Sequence, residues 1–229
     1  MSDKEQSIPE SWEDNAAAWV EAIHQGRIES RVRATNAAVV SAVREGGGAR
    51  VLDIGCGEGW LCRAVAEVGM MAVGFDGSAA LIAEAEKLGG GEYQVLSYEE
   101  FAADPFRIGG VFSTAICNYS LLGEDVLPIL RGAAAVLEPG GRLIVQTLHP
   151  FTGGGADDRY EDGWRVEDFS GMGSGFRTCM PWYFRTVGSR ISQIRLAGLQ
   201  LEECREPIIS ERSMPASLLL IAASPGRSI

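Results

Sequence analysis

In the stretch VLDIGCGEGW, residues 51 to 60, an apolar run ends around an acid, Asp53, and breaks into three glycines, Gly55, Gly57 and Gly59, before a helical pattern begins at Trp60. A strand that turns through glycines into a helix brings backbone N–H groups close to a ligand, because no Cβ stands in the way. Such a turn suits a dinucleotide, an adenosyl sulfonium or a phosphate, so its neighbours must choose. The dinucleotide fingerprint G-x-G-x-x-G fails at its third glycine, which here is Trp60. A phosphate-binding loop fails more plainly, since no G-K-[ST] follows. Asp53 adds a sign: a carboxylate at the strand end repels a pyrophosphate and favours a ligand that carries ammonium and sulfonium charge.

A turn of this kind needs a sheet to hold it. The apolar runs RVLDI, MAVGF, YQVL, VFSTAIC, RLIVQT and SLLLIAAS are short enough to be buried strands. The helical patterns GWLCRAVAEV, SAALIAEAEKL and EDVLPILRGAAAVL alternate with the early ones, which predicts a parallel sheet covered by helices on both faces. Ahead of it, Trp12, Ala16, Trp19 and Ile23 share one helix face, and a second helical segment runs through about Val43 to stop at EGGG. Between Pro150 and Pro181 the chain turns rich in glycine, aromatics and acid with little periodicity, as an insertion lying over a site would be. A helix in SRISQIRLAG and a strand in LQLEECREP precede the last strand. The expected organisation is one domain, 1–229, with an N-terminal helical lid (1–47), a cofactor-binding core (48–149), the insertion as a substrate cap (150–186) and a C-terminal helix with strands (187–229).

Composition excludes several classes. With 229 residues, 46% hydrophobic and 22% charged, the chain can bury one substantial core. A net charge of -11 without any Lys/Arg block repels a polyphosphate backbone, so no nucleic-acid partner is expected. The N-terminus MSDKEQSIPESWEDN has no apolar centre and no run approaches the roughly 20 apolar residues of a membrane span, so a soluble, cytoplasmic protein with no membrane partner is expected. The five cysteines are scattered without a CxxC pair, which suggests neither a disulfide framework nor a metal site.

VLDIGCGEGW resembles motif I of the class I S-adenosylmethionine-dependent methyltransferases, and the chain continues in that family's order from about 48 to 149. AVGFDGSAALIAEAEK is similar to the second motif, YQVLSYEEF to the third, STAICNYSLL to the fourth, and VLEPGGRLIVQTLHP to the turn into strand five. The resemblance implies a Rossmann-like α/β fold with a seven-stranded, mostly parallel sheet and an antiparallel final strand. It implies S-adenosylmethionine as cofactor, released as S-adenosylhomocysteine. Asp53, Gly55, Cys56, Gly57 and Gly59 would surround it, Asp76 with Gly77 would take the ribose hydroxyls, Ser97 and the backbone of Tyr98 the adenine edge, and Cys117, Asn118 and Tyr119 the methionine and methyl end. Many relatives carry an acid at the position of Ser97, and a hydroxyl accepts less strongly from the adenine amino group. Side chains such as Tyr98 or Trp60 could add stacking.

The implied reaction is O- or N-methylation of a small-molecule acceptor by in-line displacement. His149, which follows strand five, is the candidate base or substrate contact. The competing reading is a loop histidine that orders HPF. His24, Arg27 and Arg31 read as a solvated helix face, or, if they face the pocket, as a carboxylate site. Trp12 and Trp19 form either a core face or the underside of a lid. Trp19, Arg31, Tyr160, Trp182 and Tyr183 are the candidate acceptor contacts, and Trp164, Phe169, Phe176 and Phe184 add aromatic area to the insertion. Glycines at Gly153 to Gly155 and between Gly171 and Gly175 would let it move as a flap. Alternatively the aromatics form a satellite core or a homodimer contact. Two other functions stay open at this point: an NAD(P)-dependent oxidoreductase, and a non-catalytic S-adenosylmethionine-binding protein.

Overall fold

The apolar runs pair into one sheet. Strands β1 (Arg50–Ile54), β2 (Met71–Asp76), β3 (Glu92–Val95), β4 (Phe112–Asn118) and β5 (Leu137–Thr147) come first, followed by the separate hairpin β6 (Gly163–Glu167) and β7 (Met180–Phe184). Then come β8 (Gln200–Arg205), the short pair β9 (Ile208–Ile209) and β10 (Met214–Pro215), and β11 (Leu218–Ala223). This computed structural model describes residues 2–153, 159–210 and 214–226. The main sheet has seven strands in the order β3-β2-β1-β4-β5-β11-β8, and β11 runs antiparallel to both of its neighbours. Strand order reverses between β1 and β4, so the crevice for a ligand opens at the carboxyl ends of those two strands.

Side-chain alternation splits the sheet into two faces. Leu52, Ile54, Ala115, Cys117, Leu143 and Val145 belong to one core, packed with α5 (Tyr98–Ala103), α6 (Leu127–Ala135) and α7 (Val187–Leu196). Val51, Ile116, Ile144 and Leu219 belong to the other, packed with α2 (Asn36–Gly46), α3 (Trp60–Glu67) and Ile82 of α4 (Ala79–Leu88). The same alternation carries Asp53, Asn118 and Gln146 to the α2/α3 side at the ends of their strands. Among the described residues no helix is long and apolar enough to cross a membrane.

The N-terminal helix α1 (Asp3–His24) begins well before its apolar pattern does. Ser2 and Glu5 form a capping box: the Glu5 amide donates to Ser2 Oγ at 3.3 Å and the Ser2 amide to Glu5 Oε2 at 3.2 Å. A π-helical turn, Arg31–Thr35, leads into α2 and buries Arg31 and Thr35.

The insertion contains regular structure where its sequence shows little period. Its hairpin packs against α1, and its aromatics form a satellite core with the lid. Phe169 stacks on Phe176 with centroids 4.5 Å apart, and Trp12 sets an edge on Trp19 at 4.9 Å and on Phe169 at 6.3 Å. Of the expected flap glycines, Gly154 and Gly155 lie outside the described residues. Asn15, fully buried on α1, ties the lid to the insertion: its Nδ2 donates to the Thr178 carbonyl at 2.8 Å and its Oδ1 accepts from the Arg177 amide at 2.7 Å. Asn15→Ala should therefore lower unfolding stability by about 1–3 kcal/mol in a urea titration. The amides of Arg177 and Thr178 should lose hydrogen-exchange protection while those of β1 and β4 keep theirs.

Candidate active site

The turn after β1 is held from beneath. The Gly55 and Cys56 amides donate to the Phe75 carbonyl at 2.9 and 3.0 Å, which fastens the turn to β2. Gly55 has φ +74, and a Cβ there would stand 2.3 Å from Tyr98 Oη and 2.6 Å from Ser120 Cβ. Tyr98 donates to the Ser120 carbonyl at 3.0 Å, and Ser120 Oγ to the Ile54 carbonyl at 2.6 Å, so this side is filled by protein. Gly57, with φ +57, is different: nothing stands nearer to its missing Cβ than Trp19 Nε1 at 3.8 Å. Asp76 closes the floor, its Oδ2 accepting from the Gly57 amide and its Oδ1 from the Ser78 amide, both at 2.9 Å.

Above this floor lies a cavity of about 570 Å³. Asp53, Gly55, Cys56, Gly57, Asp76 and Gly77 line it from the first two strands, Ser97 and Tyr98 from the end of β3, and Asn118 and Tyr119 from β4. Ile8, Pro9, Trp12 and Trp19 of α1 form the roof, and Arg31 and Trp60 close one side. Ser97 caps α5, accepting from the Glu100 amide at 3.1 Å. Its capping partnership and the burial of Tyr98 beneath Gly55 give both residues structural roles beside their place in the wall.

Six residues expected at the site are not in the lining. Gly59 serves packing, since a Cβ there would stand 2.6 Å from Tyr93 Oη. Cys117 alternates to the opposite face and is buried in the α5/α6 core. His149 is turned away with both ring nitrogens engaged: Nδ1 accepts from the Phe151 amide at 3.1 Å, so Nε2 carries the proton and donates to Glu206 Oε1 at 2.7 Å. It orders the loop after β5. Tyr160 is largely exposed, its hydroxyl accepting from the Val187 amide at 3.1 Å. Trp182 is buried beside Phe184, and Tyr183 packs between Trp164 and the Arg185 guanidinium, both within the hairpin's own packing.

The walls carry opposite, unpaired charges. Asp53 is 3% exposed; its Oδ1 has no partner and its Oδ2 meets only Cys62 Sγ at 3.7 Å. Burial pushes its carboxyl up to about 7, with Cys62 and Arg31 pulling the other way. Arg31 is equally enclosed: burial brings its guanidinium down to about 10, and Nη2 has no partner. Its charge is sandwiched by aromatic faces, 4.7 Å from the Trp60 ring centroid and 5.6 Å from that of Trp19. Burial also raises the Asp76 carboxyl, opposed by the Ser78 and Gly57 amides. Sequence reading missed Glu58, also buried in the wall, where Oε2 pairs with Arg63 and lies 3.6 Å from His24, leaving Oε1 free. A buried acid beside a buried guanidinium, with one oxygen and one N–H group unsatisfied, suits the ammonium and carboxylate of an amino-acid group. Among the described residues no cluster of three His, Cys, Asp or Glu side chains could hold a metal ion.

A polar cluster sits at the tips of β4 and β5. Gln146 Nε2 donates to the Thr35 carbonyl at 3.1 Å and to Asn118 Oδ1 at 2.8 Å, while Ser217 Oγ donates to Gln146 Oε1 at 3.3 Å. Beside it Tyr119 takes φ +56, in the left-handed region, and its amide donates to the Gln146 carbonyl at 2.7 Å.

Asp53 makes stability depend on pH in a definite direction. Its carboxyl ionises near 3.8 when unfolded and about 7 when folded, so the fold holds the proton more tightly and stability falls as pH rises from 4 through 7. In Asp53→Asn that decline should vanish. Relative to the parent, the ligand-free variant should gain roughly 2–4 kcal/mol between pH 4 and 8, read from urea midpoints.

Comparison with known proteins gives this geometry a family. The ubiquinone biosynthesis O-methyltransferase of Xanthomonas axonopodis pv. citri is 37% identical over 116 residues, 48% of this chain and 47% of that protein, so the match spans about half of each. Among solved structures, an S-adenosylmethionine-dependent methyltransferase from Mesorhizobium loti superposes with a TM-score of 0.59 at 24% identity, covering 80% of this chain and 96% of that one. Magnesium protoporphyrin IX methyltransferase from Synechocystis, with bound S-adenosylhomocysteine, superposes at 0.64 with 16% identity over 96% of this chain and 99% of that one. These likenesses show the shared fold, and a methyltransferase-domain family model matches residues 28–187, so the chain belongs to the methyltransferase-domain family.

Proposed function

We propose that this chain transfers the methyl group of S-adenosylmethionine to a small-molecule acceptor. The observation that carries the proposal is the pair of buried charged residues, Asp53 and Arg31, each with an unsatisfied polar atom, lining one cavity beside the open face of Gly57. When bound, the cofactor supplies an electrophilic methyl carbon on a sulfonium. Asp53 would accept from its ammonium group and Arg31 would donate to its carboxylate. This moves Arg31 from the acceptor contacts to the cofactor contacts. Asp76 would accept the ribose hydroxyls through the lone pairs its two backbone bonds leave free. Ser97, whose oxygen caps α5, has its O–H to donate to an adenine ring nitrogen. Trp12, Trp19, Ile8 and Pro9 exclude water from the reacting end.

The acceptor side falls to Asn118, Tyr119 and Trp19, since the insertion aromatics Tyr160, Trp182 and Tyr183 lie outside the lining. His149 is not proposed as a base. The acidic surface keeps nucleic acid outside the proposed partners. The relatives named as ubiquinone biosynthesis O-methyltransferases support a small organic acceptor.

Calorimetry tests this reading. S-adenosylhomocysteine, whose ammonium would ionise Asp53, should bind at pH 6 to 7 with release of a proton, seen as a heat that changes with the buffer's ionisation enthalpy. NAD should give no heat, and binding of NAD in place of S-adenosylhomocysteine would overturn the assignment. Two variants separate the ends of the cavity. Arg31→Ala should weaken S-adenosylhomocysteine by about 2 kcal/mol while leaving adenosine, which has no carboxylate, unchanged. Asp76→Ala should weaken both by about 1–3 kcal/mol.

A further inference from the structure

From the polar cluster at the strand tips we infer that Asn118 selects the acceptor by its nucleophilic atom, favouring oxygen over nitrogen, and that Gln146 is the positioning residue that makes it do so. The inference rests on the methyl-transfer reading above and adds the class of acceptor to it.

The chain of hydrogen bonds has only one consistent polarity. The Thr35 backbone carbonyl can only accept, so the Gln146 atom 3.1 Å from it must be Nε2. That same nitrogen lies 2.8 Å from the Asn118 side chain, whose facing atom must then be the acceptor Oδ1. Ser217 Oγ donates to the remaining Gln146 oxygen at 3.3 Å, in agreement with that orientation. Thr35, Gln146 and Ser217 are all buried to 1% exposure or less, so no solvent is available to satisfy the reversed arrangement. Asn118 therefore turns its only oxygen toward Gln146. Its Nδ2 group has no acceptor among the described residues and borders the cavity.

The wall at the ends of β4 and β5 thus offers N–H donors from its Asn118 side chain. The unpartnered buried oxygens among the cavity residues, those of Asp53 and Glu58, belong to β1 and the turn after it, and Asp53 is taken by the cofactor's ammonium in the reading above. An acceptor oxygen has at least two lone pairs, so it can accept from Asn118 with one and attack with another. A neutral amine has a single lone pair. Held by Asn118 it cannot attack, and oriented for attack it leaves the Asn118 N–H unmatched. In the transfer itself the oxygen forms a bond to the methyl carbon as the carbon–sulfur bond breaks, its electrons returning to sulfur, and a phenolic acceptor enters the cavity already ionised, its proton left in bulk solvent.

The test uses the protein saturated with S-adenosylhomocysteine and two pairs of probes differing only in the nucleophile: 4-hydroxybenzoate with 4-aminobenzoate, and catechol with 1,2-diaminobenzene. In ¹⁵N-labelled protein the Asn118 side-chain NH₂ signal is assigned by its loss in Asn118→Ala. The oxygen member of at least one pair should move that signal and bind about tenfold more tightly than its amine partner by calorimetry. Asn118→Asp keeps an oxygen for Gln146 and presents an acceptor to the cavity, so the ranking should reverse. Gln146→Met, close in volume, frees Asn118 to turn over, and the difference within each pair should collapse. Amine probes that bind as well as oxygen probes, a ranking untouched in both variants, or an Asn118 signal that no probe moves would each overturn the inference. These outcomes leave the methyl-transfer reading standing as long as S-adenosylhomocysteine binds; failure of that binding removes both.

Discussion

A carboxylate kept from water without a counter-charge is the constraint to which the rest of this site answers. Asp53 stands at the end of a central strand, where its neighbours Leu52 and Ile54 are fully buried and cannot be moved toward solvent. Withdrawing an isolated ion from water costs several kcal/mol, so the ligand-free protein holds the group partly protonated, near neutrality. Arg31 presents the complementary problem in the same cavity, a guanidinium with one nitrogen unsatisfied. The two charges are close enough to influence one another but do not form an ion pair. A ligand carrying both an ammonium and a carboxylate satisfies both at once, and this is a more specific requirement than a glycine turn alone imposes.

The roof over that pair is fastened at its edges. Glu5 accepts the amides of Glu124 and Asp125, each at 3.1 Å, Glu13 accepts from Ser78 Oγ at 2.6 Å, and Asn15 holds residues 177 and 178. The loop after β4 is in turn held by the insertion, through the Tyr183 amide to the Leu122 carbonyl at 2.7 Å and through Arg185 to the carbonyls of Gly123 and Glu124. Lid, insertion and loop are therefore one connected layer. Each tie contributes on the order of 1 kcal/mol. Phe169 of the insertion, stacked on Phe176, packs in this layer against Trp12, while Tyr160, Trp182 and Tyr183 lie outside the cavity lining.

What the sequence made legible is what lies close together in it. The strands were readable as short apolar runs because both faces of the sheet are covered, and Asp53 with its glycines was readable because the turn is continuous. The first turns of α1 were not, because Ile8 and Pro9 face a cavity and so form no core-facing period; the Ser2/Glu5 capping box was the available signal. Arg31 lies among several arginines in RIESRVR, and only the register of the π-helical turn turns it inward. His149 was correctly placed at the end of β5, but its direction depends on Glu206, far along the chain. Cys117 could have been excluded beforehand: in a strand that presents Asn118 to a ligand, alternation sends its neighbour to the other face.

That alternation also explains why β4 ends as it does. Continued in extended form, the strand would direct Tyr119 to the side of Cys117, away from the cavity. Instead Tyr119 takes a left-handed backbone, φ +56, at a cost of about 1 kcal/mol, and two successive side chains, Asn118 and Tyr119, line the same cavity. The Tyr119 amide, donated to the Gln146 carbonyl, holds the reversal in place. The parallel pairing of β4 with β5 sets Asn118 opposite Gln146, so the residue that secures the bend through its backbone also fixes the Asn118 amide through its side chain. Thr35 and Ser217 join from remote parts of the chain, where neither is more than an ordinary polar residue. The chemistry of this wall is thus a property of strand register, and it exists only once the sheet has formed.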